Sequence, residues 1–352
     1  MTLLRRLTAF AAVLFSIAAA TVGARAEKPQ FTWDIDFESV FDNREGDNRY
    51  TDTKTFFFTR LAPEVGLRFT PSDRIAGGAV WYQPLDNDCA GYKIAPTLYY
   101  RHDGGARSPW RFSMGMFPRT QLREQLPAFL WSDSLTYTQR NIRGALMQYV
   151  RDRGFLDAYI DWRGMQSETR REAFNIVVHG RWHPRAGNPL FIGGHAMMNH
   201  FALRKNSPSD EHITDNFVVN PYAGVNLSHR TACDSLMVRV GPLLTIERNR
   251  ADDDGWQTPV GAWVEAFVAW RWLGVKNMFY YGGRQFRNYV SFGAELYQGE
   301  PFFQSKFYNR TDIYGRIYRN RWVDLQASLD FHFADGSFIF YQRLMVRVTL
   351  GN

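Results

Sequence analysis

The segment 118–141, PRTQLREQLPAFLWSDSLTYTQRN, carries Arg119, Arg123 and Arg140 against Glu124 and Asp133, and Arg143 follows at once. Placed inside a water-filled pore, such a loop would form a basic constriction. Rings of Arg or Lys at a constriction favour anionic solutes. The alternative is a surface lid with solvated arginines; the luminal placement is the reading adopted. A second loop, 287–310, holds Tyr289, Phe292, Tyr297, Phe302, Phe303, Phe307 and Tyr308. Of these, Tyr297, Phe302, Phe303, Phe307 and Tyr308 are candidates for stacking on the apolar face of a ligand such as a sugar, against the plainer reading that they pack the loop on itself. Classical catalytic constellations are missing. His195 and His200 fall on opposite faces of an extended segment, which argues against a shared metal ion. No Ser–His–Asn set can be placed on one wall, and Asp252-Asp253-Asp254 reads as solvated loop. The expectation is therefore a chain without enzymatic activity, without a metal and without a cofactor.

These residues need elements to position them, and the chain supplies a period of two almost throughout. Phe31, Trp33, Ile35 and Phe37 alternate with Thr32, Asp34, Asp36 and Glu38; Val323, Leu325, Ala327, Leu329, Phe331 and Phe333 alternate with Asp324, Gln326, Ser328, Asp330 and His332. Several runs last ten residues or more. Ordinary strands have about 5–6 residues, and a tilted membrane strand about 9–11. One face is continuously apolar and often ends in Trp, Tyr or Phe, while the other carries charge at mid-strand. That is the pattern of a wall between lipid and water. The prediction is an all-β fold, a transmembrane antiparallel up-and-down β-barrel of about 16 strands, with 14 or 18 as neighbouring counts. With the N-terminus in the periplasm, the connections predicted outside (42–53, 118–141, 203–216, 249–257, 287–310) are long. Those predicted in the periplasm are short: Thr70–Asp73, Arg151–Gly154, Leu273–Lys276 and Arg319-Asn320.

Alternation also assigns a lumen wall. Ten acids, among them Asp34, Asp36, Glu265, Asp324 and Asp330, face eight bases, among them Arg111, Arg239, Arg271, Arg343 and Arg347. A near balance predicts weak charge selection by the wall. In the hairpin 321–350, with Asp335-Gly336 at its tip, Asp324 falls opposite Arg347 and Ser328 opposite Arg343. Barrel closure would bring Asp34 and Asp36 to the same arginines, an acid–Arg ladder along the seam.

The first 26 residues read as a cleaved signal peptide: Arg5 and Arg6, then an apolar stretch, then Ala24-Arg25-Ala26. The remainder, 27–352, is the barrel. Removing three arginines takes the formal net charge from +7 to +4, too little and too evenly spread for a nucleic-acid partner. Aromatics at 16% suit lipid-facing strands, and only one apolar run approaches the length of a membrane-spanning helix. Cys89 and Cys233 are assigned to opposite sides of the membrane and so cannot pair.

In topology and loop order over the whole mature chain, the sequence resembles the general bacterial porins, sixteen-stranded barrels whose third loop folds into the lumen. The segment GMFPRTQLREQLPAF also resembles the corresponding loop entry of phosphate-selective porins. The chain departs from the usual barrel in ending Leu350-Gly351-Asn352 rather than in an aromatic residue. The resemblance implies passive diffusion of small hydrophilic, anionic or sugar solutes across a Gram-negative outer membrane, with lipid as the surrounding partner and a homotrimer left open. A non-conducting partner barrel of an envelope complex is the alternative, and a barrel lipase or protease a more distant one.

Overall fold

A computed structural model describes residues 28–86, 91–207, 212–250 and 255–352. The signal segment, Cys89 and Asp252–Asp254 lie outside the described residues. Sixteen strands follow one another: β1 (Gln30–Glu45), β2 (Lys54–Arg68), β3 (Asp73–Pro84), β4 (Lys93–Asp103), β5 (Trp110–Pro118), β6 (Asn141–Arg151), β7 (Gly154–Gly164), β8 (Ala173–Trp182), β9 (Leu190–Phe201), β10 (Thr214–Asn226), β11 (Ser235–Asn249), β12 (Val260–Trp270), β13 (Leu273–Gly282), β14 (Phe307–Arg319), β15 (Val323–Ala334) and β16 (Ser337–Gly351). Each pairs antiparallel with its sequence neighbours, and β1 pairs with β16 to close the barrel. Closure removes the unpaired edges that a strand cannot expose to lipid.

The period-two pattern becomes a two-sided wall. Phe31, Leu67, Ile75, Leu98, Ile192 and Val240 stand exposed on the outer face. Glu38, Arg60, Asp157, Arg239, Glu265 and Asp330 are buried on the inner one. The turns explain the register. At Asp335-Gly336 both residues have positive φ, 45° and 85°, the twist of a two-residue hairpin. That tip sets Ala334 against Ser337, and thereby Asp324 against Arg347 and Ser328 against Arg343. One predicted turn is displaced. Leu273–Lys276 belongs to β13, and the connection is the two-residue turn Arg271-Trp272, with Trp270 facing Leu273. Arg271 has φ 54° in that turn and is exposed at the periplasmic end, so it is not part of the lumen wall. The alternation Val268, Trp270, Trp272 runs on past the strand end and conceals the break.

The lumen is not empty. The segment between β5 and β6 enters it as a 3-10 turn (Arg119–Gln121) and a short helix (Asp133–Thr138). The segment between β13 and β14 also folds inward, through a short kinked helix (Tyr289–Leu296) and a 3-10 turn (Pro301–Gln304). Phe129, Leu130, Phe286, Leu296, Tyr297, Phe302 and Phe303 of these two loops are essentially inaccessible to solvent. They pack on inward-facing Ile142, Trp263, Tyr280, Tyr308 and Tyr341. Phe129 meets Trp263 and Phe303 edge-on, with centroids 5.5 and 5.9 Å apart. Burying one such ring is worth about 2–3 kcal/mol. The extracellular half of the barrel thus holds an apolar core of the kind found inside soluble proteins.

Candidate functional site

Two regions combine chemistry-bearing residues with access to a ligand: the lumen below the two loops, and the outer wall at the extracellular rim.

In the lumen two of the three loop arginines, Arg119 and Arg140, are held by carboxylates of the wall. Arg119 reaches Asp161 at 2.5 Å and lies 3.7 Å over the Trp131 ring. Arg140 pairs with Glu38. Glu124 takes Arg181 at 3.0 Å and lies 3.9 Å from Arg239, which itself holds Glu265 at 2.5 Å. The Arg123 backbone N–H donates to Asp157 at 2.8 Å. Arg119, Arg123, Glu124 and Arg140 therefore do lie in the lumen, where Arg119, Glu124 and Arg140 are neutralised by ion pairs. Arg143 does not. It is the third residue of β6 and shares the outward face with Met147, so it points away from the pore. The loop ends two residues earlier, at Asn141, where strand parity takes over.

The wall residues Arg111, Arg239, Glu265, Asp324, Arg343 and Arg347 face inward. Across the seam Arg347 holds Asp36 at 2.9 Å, and Arg60 of β2 holds the same carboxylate at 3.0 Å. Asp34 turns instead to Arg74, at 3.5 Å, and Asp324 lies 3.8 Å from Arg316. Arg111 bonds Asp103 at 3.0 Å.

Arg343 joins the centre of the plug. Asp133 accepts from Arg343 at 3.1 Å and from Arg310 at 2.8 Å; Arg343 also bonds Asp330, and Arg310 bonds Asp312 at 2.7 Å. The Asp133 backbone N–H donates to Glu300 at 2.7 Å, and Ser132 N–H donates to the Gln298 carbonyl at 2.7 Å. This latch joins both loops to β14 and β16. Burial pushes the Asp133 carboxyl up, but Arg310, Arg343 and Arg44 outweigh burial and hold it well below the usual carboxylate range. Burial and the neighbouring Asp133 push Glu300 up.

The aromatic loop does not offer rings to a ligand. Tyr297, Phe302, Phe303 and Tyr308 are at most 1% exposed. Phe307 faces lipid beside Phe279, 5.6 Å away. Four of the five rings are interior packing and the fifth faces outward, which overturns the stacking site. His195 is likewise buried, hydrogen-bonded to Asn220 at 3.1 Å and stacked 6.1 Å from His179.

The outer rim carries an arrangement that the sequence does not reveal. Register places Trp162 beside Phe174, Phe174 beside His200, His200 beside Asp215 and Asp215 beside Arg248, a lateral row over β7 to β11. All five share the outward face. Trp162 stacks on Phe174 at 5.1 Å and Phe174 on His200 at 4.4 Å. Arg250, one outward rung higher, grips Asp215 through two bonds of 2.8 and 2.9 Å. At the other end, Gly144 faces Asp161, so Arg143 is at the height of Trp162. Among the described residues, Arg143 and Arg248 have no ion-pair partner and the His200 ring has no hydrogen bond. The row can therefore place a proton-accepting imidazole and free guanidiniums against whatever lies beside the wall. The individual residues are visible in the sequence; their alignment depends on the stagger between strands, which is not.

The family model described as lipid A 3'-O-deacylase-type matches residues 24–343, nearly the whole chain. The chain belongs to this family. That membership overturns the expectation of a chain without enzymatic activity, because the family is one of enzymes. No curated protein sequence matches the chain. Among solved structures, the outer membrane protein OprD from Pseudomonas aeruginosa superposes with a TM-score of 0.53 at 10% identity, covering 94% of this chain and 96% of that one. OpdK from the same organism gives a TM-score of 0.51 at 10% identity, covering 92% and 99%. Identities this low speak for the fold alone, a porin-like outer-membrane barrel.

Proposed function

We propose that this chain is an outer-membrane ester hydrolase that removes an acyl chain from an anionic, phosphate-bearing glycolipid of the outer leaflet, as its family description suggests, and that the outward row at the rim is where the headgroup docks. The observation that carries the reading is His200 on the lipid-facing wall, with Asp215 beside it, Arg248 and Arg250 beyond, and Arg143 at the far end of the row past Phe174 and Trp162. A charged row facing lipid at this height would be costly without an anionic partner, and guanidiniums match phosphate oxygens. In the proposed step His200 takes a proton from water as the oxygen attacks the ester carbonyl. The bond to the alcohol oxygen then breaks, that oxygen receives the proton, and the products are a free fatty acid and a glycolipid hydroxyl. Asp215, fixed by Arg250, lies close enough to favour the imidazolium that forms.

The test is mass spectrometry of glycolipid incubated with the detergent-solubilised protein. Loss of one acyl chain with the wild type, abolished by His200→Ala and weakened by Arg248→Ala, is expected. Deacylation that survives His200→Ala refutes the site but not the activity; no deacylation at all refutes the activity.

A second reading has its own observation. Two polar chambers beneath the plug share Thr120, Arg140 and Arg347 in their linings. If the segment 118–141 can withdraw, they form a path for small hydrophilic anions. Planar-bilayer recordings that show no conductance steps under any condition reject this channel reading.

A further inference from the structure

Below the inserted loop, on the β1–β5 side, lies a cavity of about 700 Å³. Its roof is Pro118, Thr120, Gln121 and Asn141, and its lower edge is formed by Pro71, Ser72 and Gly105 of the periplasmic turns. It is therefore a cup with a closed top and a periplasmic opening. Its volume falls in the range of small-molecule sites.

The lining charges do not balance. Seven arginines, Arg68 and Arg60, Arg74, Arg101, Arg111, Arg140 and Arg347, face four lining carboxylates, Asp34, Asp36, Glu64 and Asp103; Glu38, just beyond the lining, also holds Arg60 and Arg140, which leaves an excess of two positive charges. The carboxylates are shared rather than matched. Asp36 serves both Arg60 and Arg347, at 3.0 and 2.9 Å. Asp103 serves Arg111 at 3.0 Å and Arg101 at 3.6 Å. Each guanidinium has five N–H donors, so a carboxylate divided between two of them leaves donors over. Low-dielectric walls concentrate the excess field inside the cup. Tyr99 adds an ordered wall, its hydroxyl on Glu64 at 2.6 Å.

We propose that this cup is a binding site for a small soluble solute carrying at least two negative charges, of phosphate type, taken up from the periplasm. Phosphate oxygens fit the paired guanidiniums. The barrel wall separates the cup from lipid, so a soluble anion is the source rather than a lipid headgroup. The roof makes the cup a dead end, so binding does not require transit through the barrel. The proposal is independent of the hydrolase reading.

Isothermal titration of the full-length protein in detergent micelles with inorganic pyrophosphate tests it. Wild-type protein is expected to bind, and Arg101→Gln combined with Arg111→Gln to weaken binding about tenfold or more. Asp103→Asn, which frees two guanidiniums, is expected to tighten it. Arg185→Gln, in the exposed turn between β8 and β9, should leave it unchanged. Heat-modifiable migration on SDS gels verifies that each variant retains the barrel. No binding to the wild type, or equal binding to the double glutamine variant with an intact barrel, overturns the proposal.

Discussion

Replacing Asp133 by alanine tests the latch that holds both loops in the lumen. The carboxylate accepts from Arg310 and Arg343, whose side chains are only 9% and 20% exposed. Removing one partner of a buried ion pair costs about 3–5 kcal/mol when the remaining charge is stranded. Here neither is stranded: Arg310 keeps Asp312 and Arg343 keeps Asp330. The loss also relieves Glu300 of a like charge, and the backbone bond from residue 133 to Glu300 survives. The net expectation is about 2 kcal/mol against the docked loop, with the barrel strands unaffected. At about 1.4 kcal/mol per decade, that multiplies the undocked population about thirtyfold. Hydrogen exchange is the assay: protection of amides in 119–139 should fall by that factor, while that of β14 to β16 stays. Unchanged protection in 119–139 would refute the latch. Loss of protection throughout β14 and β16 would show that Asp133 supports the wall rather than the loop.

Further outcomes follow from the same contacts. A side chain at position 299 would put its Cβ 2.2 Å from the Phe129 carbonyl oxygen, so Gly299→Ala should separate the loops, raising proteolysis at 118–141 more than Asp133→Ala does. Asp36→Asn removes a charge shared by Arg60 and Arg347 across the seam; buried Arg60 keeps Glu38 at 3.2 Å and Arg347 reaches water, so about 1 kcal/mol is expected, seen as a modest fall in the thermal midpoint of heat-modifiable migration. The latch also has a pH profile. Glu300 has a raised pKa, so its contribution is complete below its ordinary value near 4.5 and is lost as pH rises through the folded value. Asp133 has a lowered one, so its contribution holds above its ordinary value near 3.8 and is lost as pH falls towards the folded value. Loop protection, corrected for intrinsic exchange, should therefore improve on mild acidification from neutral pH and fail only well below pH 4.

The wall was legible because strand geometry has a period of two and a membrane demands one apolar face. The register of β15 and β16 was legible too, since the Asp335-Gly336 turn leaves little choice. Legibility failed where the period breaks or where partners come from another strand. Arg143 lies just beyond the loop but already obeys strand parity, which turns it outward. Arg271 continues an alternating run that the backbone has left. The rings of 287–310 look exposed when the loop is imagined over the mouth, and become core once it folds inward onto Trp263 and Tyr280. His200 and Asp215 are fifteen residues apart in sequence and adjacent in the sheet, and no motif marks the pair. Enzyme membership was equally hidden, because it rests on the match over the whole chain rather than on a local signature.

The plug bears on which face of the wall works. Clearing the lumen would expose Phe129, Leu130 and Trp131 of one loop and Phe286, Tyr297, Phe302 and Phe303 of the other, all at most 7% exposed. At about 2 kcal/mol for each side chain, complete withdrawal of both loops costs on the order of 10 kcal/mol even after generous relaxation. An unassisted barrel would spend a negligible fraction of time fully open. Free diffusion through it would need either a ligand that binds the open form far more tightly than the closed one, or a narrow side path past the loop 118–141 alone. Chemistry on the outer wall needs neither. The rim row meets the lipid with the loops docked, and the filled lumen then acts as the rigid backing that keeps β7 to β11 in register. A hydrolase of this design should deacylate undiminished when the loops are cross-linked shut, for example through a disulfide between positions 132 and 298, whose backbones already hydrogen-bond at 2.7 Å. A channel would be silenced by the same link.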